Sequence, residues 1–259
     1  MIRIRSGRGV GDALYLSAIA RYLVSTGKRV TVLTDHPDVF LGSGVEVQPF
    51  TREGNPRVAH YTSTMSDASI TQFQAMLRLA GMPPDVPLRI AWQQRNPSLV
   101  QRIRAQAAGR PLILVHGGRH PMNRTDNYSI DLMPRHQAFE CALAALGDCY
   151  RVRFGNPPHL YPLPVDADLN GSTSVADLLD LASIADGIVA QCSFAVPLAE
   201  VFSRPLLAIW ASAGLQSKTT YLRTITPKKV LHNARSRFVM DDSEDEVIQE
   251  AARALLNGR

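Results

Sequence analysis

Asp12 is the residue of this chain best placed by its neighbours to move a proton. It ends the glycine-rich run Ser6-Gly7-Arg8-Gly9-Val10-Gly11 and opens an apolar helix. A carboxylate there has two readings. It caps the helix by accepting N–H groups of the first turn, or it acts as a general base on a hydroxyl at the mouth of a cleft. Three other polar loops could face it: Gly117–Arg124, Gly155-Asn156, and Gln191-Cys192-Ser193-Phe194-Ala195. The last joins a short apolar strand to a helix, a geometry that aims free backbone N–H groups at an anion, commonly a phosphate.

Such loops work only if a scaffold gathers them at one edge, and the hydrophobic pattern supplies it. Residues 1–5 and 29–33 read as strands flanking the helix 13–25, a βαβ unit with parallel strands and a right-handed crossover. Short strands at 45–49, 58–61 and 88–92 and helices at 69–80 and 97–108 follow. The pattern restarts with strand 111–116, helix 135–146, strand 150–154, helix 175–184, strand 187–190, helix 194–202 and strand 206–210. Residues 243–256 form an amphipathic helix with acids at its start, where the helix dipole favours them. The expected fold class is α/β, with two Rossmann-like units, 1–107 and 108–259, whose parallel sheets face across a cleft. Ligands of open α/β sheets bind at the carboxyl ends of the strands, where all four loops lie.

Other chemistries fit less well. Gly7, Gly9 and Gly11 suggest a dinucleotide turn, with Asp35 on a ribose hydroxyl, but G-x-G-x-x-G would need glycine where Asp12 stands. No Gly-Lys-Ser/Thr follows, so a P-loop is excluded. Cys192 has no sequence-paired base, which makes it a packed thiol more readily than a nucleophile. His116 and His120 lack a third ligand at metal spacing, and Trp92 and Trp210 suit a core better than a sugar platform. Three cysteines without a C-x-x-C pair argue against a disulfide framework or zinc knuckle and for a reducing cytoplasm. No apolar run is long enough to cross a bilayer, and the first residues lack a signal-peptide core.

Charge points to the kind of partner. Six acids lie in 241–250, and without them 28 bases face 17 acids, a balance of +11. Such a body suits nucleotide diphosphates, anionic lipid or glycan, or nucleic acid. The basic stretch Lys218–Arg237 is either a solvated face or a nucleic-acid contact.

The run from Gly11-Asp12 through the apolar helix to Arg29–Leu33 resembles the opening of family 9, the heptosyltransferase-like glycosyltransferases. Leu112–Gly118 is similar to that family's strand and His-Pro-Gly loop, and Tyr150–Gly155 to the next strand and its glycine. Residues 169–181 resemble its Leu-x-Gly-x-Thr-Ser-Leu segment and the helix that follows, and 188–199 fall on its Asp-Ser-Gly-Pro-x-His donor loop. Here that loop carries Cys192, Phe194, Ala195 and Pro197 in place of the Asp, Gly, Pro and His; only Ser193 and the later Leu198-Ala199 are kept. The chain is also short for the family, mostly on the acceptor side.

The resemblance implies a GT-B fold and an inverting transfer from a nucleotide-sugar, without metal or other cofactor. It makes Asp12 the catalytic base and places Arg8, Gly9 and Gly11 beside the acceptor. It puts Gly117, Gly118, Arg119, Gly155, Asn156, Gln191, Cys192, Ser193, Phe194 and Ala195 around the donor, with Arg124 and Lys218 as phosphate contacts. The acceptor it implies is a bacterial glycan or lipid-linked saccharide, which leaves peripheral membrane contact open. Two alternatives remain at this level: a phage-type glycosyltransferase acting on hydroxylated bases in DNA, and a non-catalytic nucleotide-sugar or nucleic-acid binding protein.

Overall fold

The computed structural model describes residues 1–53, 56–58, 70–117, 134–155, 162–212 and 235–257. The first part runs β1 (Ile2–Arg5), α1 (Val10–Ser25), β2 (Val30–Leu33), a 3-10 turn (Pro37–Phe40), β3 (Glu46–Gln48), β4 (Arg57–Val58) and α2 (Gln72–Leu79). Then come α3 (Pro97–Ala107), β5 (Leu112–His116), α4 (His136–Ala145), β6 (Tyr150–Arg153), β7 (Ala167–Asp168) and α5 (Val175–Ile184). The chain continues with β8 (Gly187–Gln191), α6 (Ala195–Val201), β9 (Leu206–Trp210), β10 (Arg237–Met240) and α7 (Asp245–Ala254).

Two parallel sheets result, ordered β3-β2-β1-β4 and β10-β9-β8-β5-β6-β7. Winding reverses beside β1 in the first and between β5 and β8 in the second. Those are the positions where a crevice opens at the carboxyl ends of strands. The central strands of the second sheet bury both faces, which explains their unbroken apolar runs. Leu112, Leu114, Ile188 and Ala190 join the core shared with the first sheet, while Ile113, Val115 and Val189 pack on the other face. That other face is covered by α4 and α7, which contact each other.

Helix α1 is apolar nearly all round because it is buried on more than one side. It contacts β2 of its own sheet and also α6 of the second unit. Helix α3 contacts α5.

Several sequence expectations need correction. Helix α1 starts at Val10, two residues before Asp12, with Gly9 as its cap, so Asp12 is the third helical residue and not the N-cap. Residues 88–92 form no strand: Leu88 and Ile90 bury their side chains, and the Arg89 N–H turns back to the Pro87 carbonyl at 3.0 Å. Strand β10, unexpected from the sequence, pairs with β9, and Trp210 packs on its Phe238 at 5.4 Å between ring centroids. Trp210 is thus a core residue, 2% exposed. Among the described residues no helix is long and apolar enough to cross a membrane.

Candidate active site

The first wall of the site grows from β1. After Arg5 the chain turns through Ser6–Gly9 into α1, and Asp12 folds back over the turn so that Oδ2 accepts from the Gly9 N–H at 3.3 Å. Two glycines there are closely approached. A Cβ on Gly7 would stand 2.2 Å from Asp12 Oδ2, and one on Gly11 would stand 3.3 Å from the Cα of Phe194. The Gly11 approach brings the carboxyl-end loop of the first sheet against that of the second. Arg8 leans the other way: its Nε is 2.6 Å from Asp35 Oδ2, its guanidinium lies 5.5 Å from the Phe50 ring, and its carbonyl accepts from His36 Nε2 at 2.8 Å. Asp35 is thus paired with Arg8 at the surface.

The second wall gathers at the β5–β8 reversal. Gly117 is buried, and a Cβ there would fall 2.2 Å from the Phe139 ring, so packing against α4 alone accounts for the glycine. Gly155 has φ +132°, a backbone conformation open to glycine, and a Cβ would stand 2.9 Å from His116 Nδ1. The sequence reading missed Arg153, which is 2% exposed at the inner end of β6. Its Nη2 donates to the Gly117 carbonyl at 3.3 Å, its Nη1 lies 3.5 Å from Asp168, and burial draws its pKa down. The available signal was the strand's second arginine, set between the apolar Val152 and Phe154.

His116, read from sequence as a loop or core residue, is a neutral ring at the site. Burial pushes its pKa from 6.5 down to about 4, the Arg153 charge acts the same way, and the hydrogen bond to Phe154 opposes them. A neutral ring whose Nδ1 faces the Phe154 carbonyl at 3.2 Å carries its proton there, leaving Nε2 as an acceptor. Between pH 6.5 and about 4 the unfolded chain binds a proton at this residue and the folded chain does not. Stability from this group is therefore full above pH 6.5 and is lost as pH falls towards 4, by at most about 3 kcal/mol. Urea unfolding at pH 7.0 and 4.5 should show His116→Gln losing less stability in acid than the wild type. Equal losses would exclude the depressed imidazole.

The β8–α6 loop is mostly apolar. Ser193 Oγ accepts from the Ala195 N–H at 3.3 Å, which leaves the amides of Ser193 and Phe194 without a partner among the described residues. Burial pushes the Cys192 thiol far up, so it is no nucleophile near neutral pH. Gln191 Oε1, Asn170 Oδ1 and Thr173 Oγ1 are buried and unbonded among the described residues. Asn170 Oδ1 lies 3.5 Å from the position of a Cβ on Gly155. The expected contacts Gly118, Arg119, Arg124, Asn156 and Lys218, with His120, lie outside the described residues. A separate pocket of about 360 Å³, lined by Arg21, Tyr22 and Arg89, sits on the far half of α1, away from these loops.

No protein-family model and no curated protein matches the sequence. Solved structures do match by fold. A family 9 glycosyltransferase from Veillonella parvula superposes with a TM-score of 0.67 at 9% identity, covering 98% of this chain and 96% of that one. The E. coli ADP-heptose LPS heptosyltransferase II gives 0.59 at 14% identity, over 99% and 98%. The E. coli heptosyltransferase WaaC, solved with ADP, gives 0.51 at 10%, over 98% and 97%. The chain thus has the α/β, GT-B-type fold of the family 9 glycosyltransferases and heptosyltransferases.

Proposed function

We propose that the protein transfers a sugar from a nucleotide-sugar donor to an acceptor hydroxyl by direct, inverting, metal-independent displacement. The observation that carries this reading is the approach of Gly11 to Phe194. It brings the helix start that carries Asp12, at one sheet's reversal point, against the amide-bearing loop at the other's, within the fold of known glycosyltransferases.

In this reading Asp12 accepts the proton of the acceptor hydroxyl as its oxygen bonds to the anomeric carbon. The bond from that carbon to the phosphate oxygen breaks on the opposite face, and the nucleoside diphosphate leaves with the electron pair. Attack opposite the leaving group inverts the centre. The base must lie within hydrogen-bond reach of the nucleophile, and the departing diphosphate needs donors and positive charge. The Ser193 and Phe194 amides are the proposed donors, and Arg119, Arg124 and Lys218 the proposed cations. Gly117, Gly155, Asn156 and the 191–195 loop enclose the donor, while Arg8, Gly9 and Gly11 border the acceptor, a saccharide or lipid-linked glycan.

A thermal-shift panel of ADP-, UDP-, GDP- and CMP-sugars tests the donor side, because ligand bound to the native state raises the midpoint. One nucleotide class should raise it clearly and be consumed with release of its nucleotide. A panel with no shift and no release would end this reading.

A further inference from the structure

Three rings meet at the carboxyl ends of the adjacent strands β8, β5 and β6. The His116 centroid is 4.7 Å from that of Phe194 and 5.4 Å from that of Phe154, and Phe194 meets Phe154 edge-on at 6.1 Å. Phe154 is buried, whereas His116 and Phe194 each keep some surface exposed. The crevice at the sheet's reversal point is therefore bordered by ring surface.

The loop beside it adds few polar side chains. Ala195 is fully buried, Ser193 Oγ is occupied by the Ala195 amide, and the Cys192 thiol stays protonated in its apolar surroundings. Gln191 Oε1 is left as an acceptor without a partner among the described residues. Phe194 also bears on Gly11, the neighbour of Asp12. A sugar held between Asp12 and a departing diphosphate must therefore pass close to Phe194.

The geometry points to a donor whose sugar turns a deoxygenated, methyl-bearing or deoxy face to Phe194 and His116, with Phe194 setting that preference. This deepens the donor reading and rests on it. A hydroxyl laid against ring carbons loses its water partners and gains none, while a methyl group gains contact with the ring. His116 Nε2 accepts from a hydroxyl that remains. Discrimination by one hydroxyl against an apolar wall reaches about 10–100-fold.

The test uses ADP, GDP, UDP and dTDP, each linked to a 6-deoxyhexose or to the parent hexose of the same configuration. Dissociation constants are measured on the intact wild type, on Phe194→Ser and on Phe194→Tyr, which keeps the ring and adds one hydroxyl. In the nucleotide class that binds, the deoxy member should bind about 10–100-fold more tightly to the wild type. Both variants should narrow that gap to a few-fold. Equal or tighter binding of the parent hexose overturns the deoxy-sugar proposal and leaves the donor reading standing, as does an unchanged gap in folded Phe194→Tyr for the role of Phe194. No binding by any member overturns both.

Discussion

Asp12→Asn is expected to remove turnover while leaving the protein folded. Asparagine keeps an oxygen that can accept from the Gly9 N–H, as Asp12 Oδ2 does at 3.3 Å, so the start of α1 survives. What disappears is a site able to take a proton, and general-base loss lowers rate by about 10²–10⁴-fold. The negative charge in the first helical turn also goes, worth about 0.3–1 kcal/mol against the helix dipole. The expected pattern is a steep fall in kcat, little change in donor affinity and a melting midpoint within a few degrees of wild type. An interaction made only in the transition state behaves in this way. Turnover equal to wild type would take Asp12 out of the chemistry. Lost donor binding together with lost turnover would make it a structural residue of the cleft.

Much of this architecture was legible because local pattern and tertiary role agree. The runs Leu112–His116, Gly187–Gln191 and Leu206–Trp210 are apolar on alternate residues of both faces, and both faces are covered. The start of α1 was misread because three glycines suggest a flexible turn, whereas Gly9 caps the helix and Gly11 lies inside it. Residues 88–92 alternate as a strand does, but Leu88 and Ile90 satisfy that alternation by packing, with no neighbouring ladder. Strand β10 was hidden by its shortness and by Arg237 at its start. The site divides in the same way. Glycines and loop positions could be read from spacing, but the tertiary environments of Arg153 and His116 could not. A buried guanidinium under Gly117 and a neutral imidazole between two phenylalanines exist only once β5, β6 and β8 lie side by side.

The largest effect on stability should come from a residue to which the sequence reading assigned no role. Asp180 on α5 is fully buried, yet its carboxylate faces the segment that leads into α3. Oδ2 accepts from the Asn96 N–H at 2.6 Å and from the Arg95 N–H at 3.0 Å, while Oδ1 lies 3.2 Å from the latter. Asn96 is held again through its side chain. Its Nδ2 donates to Asp177 Oδ1 at 2.8 Å, and its Oδ1 caps α3 by accepting from the Leu99 N–H at 3.0 Å. One turn of α5 thus fastens the chain entering α3 to the second sheet's helices. Asp180→Ala leaves two backbone donors without their charged acceptor, and hydrogen bonds to a charged group are worth about 1.5–3 kcal/mol each. With partial rescue by water at the exposed Arg95, a loss of about 2–4 kcal/mol is expected. Asp180→Asn should lose less, since its amide oxygen can still take one N–H. Urea unfolding would show the midpoint lowered with an unchanged slope, the signature of altered stability without altered compactness. Asp180→Ala within about 0.5 kcal/mol of wild type would mean that the linker amides are hydrated as readily as they are bonded. In that case the clamp between α5 and the chain entering α3 would not contribute to the fold.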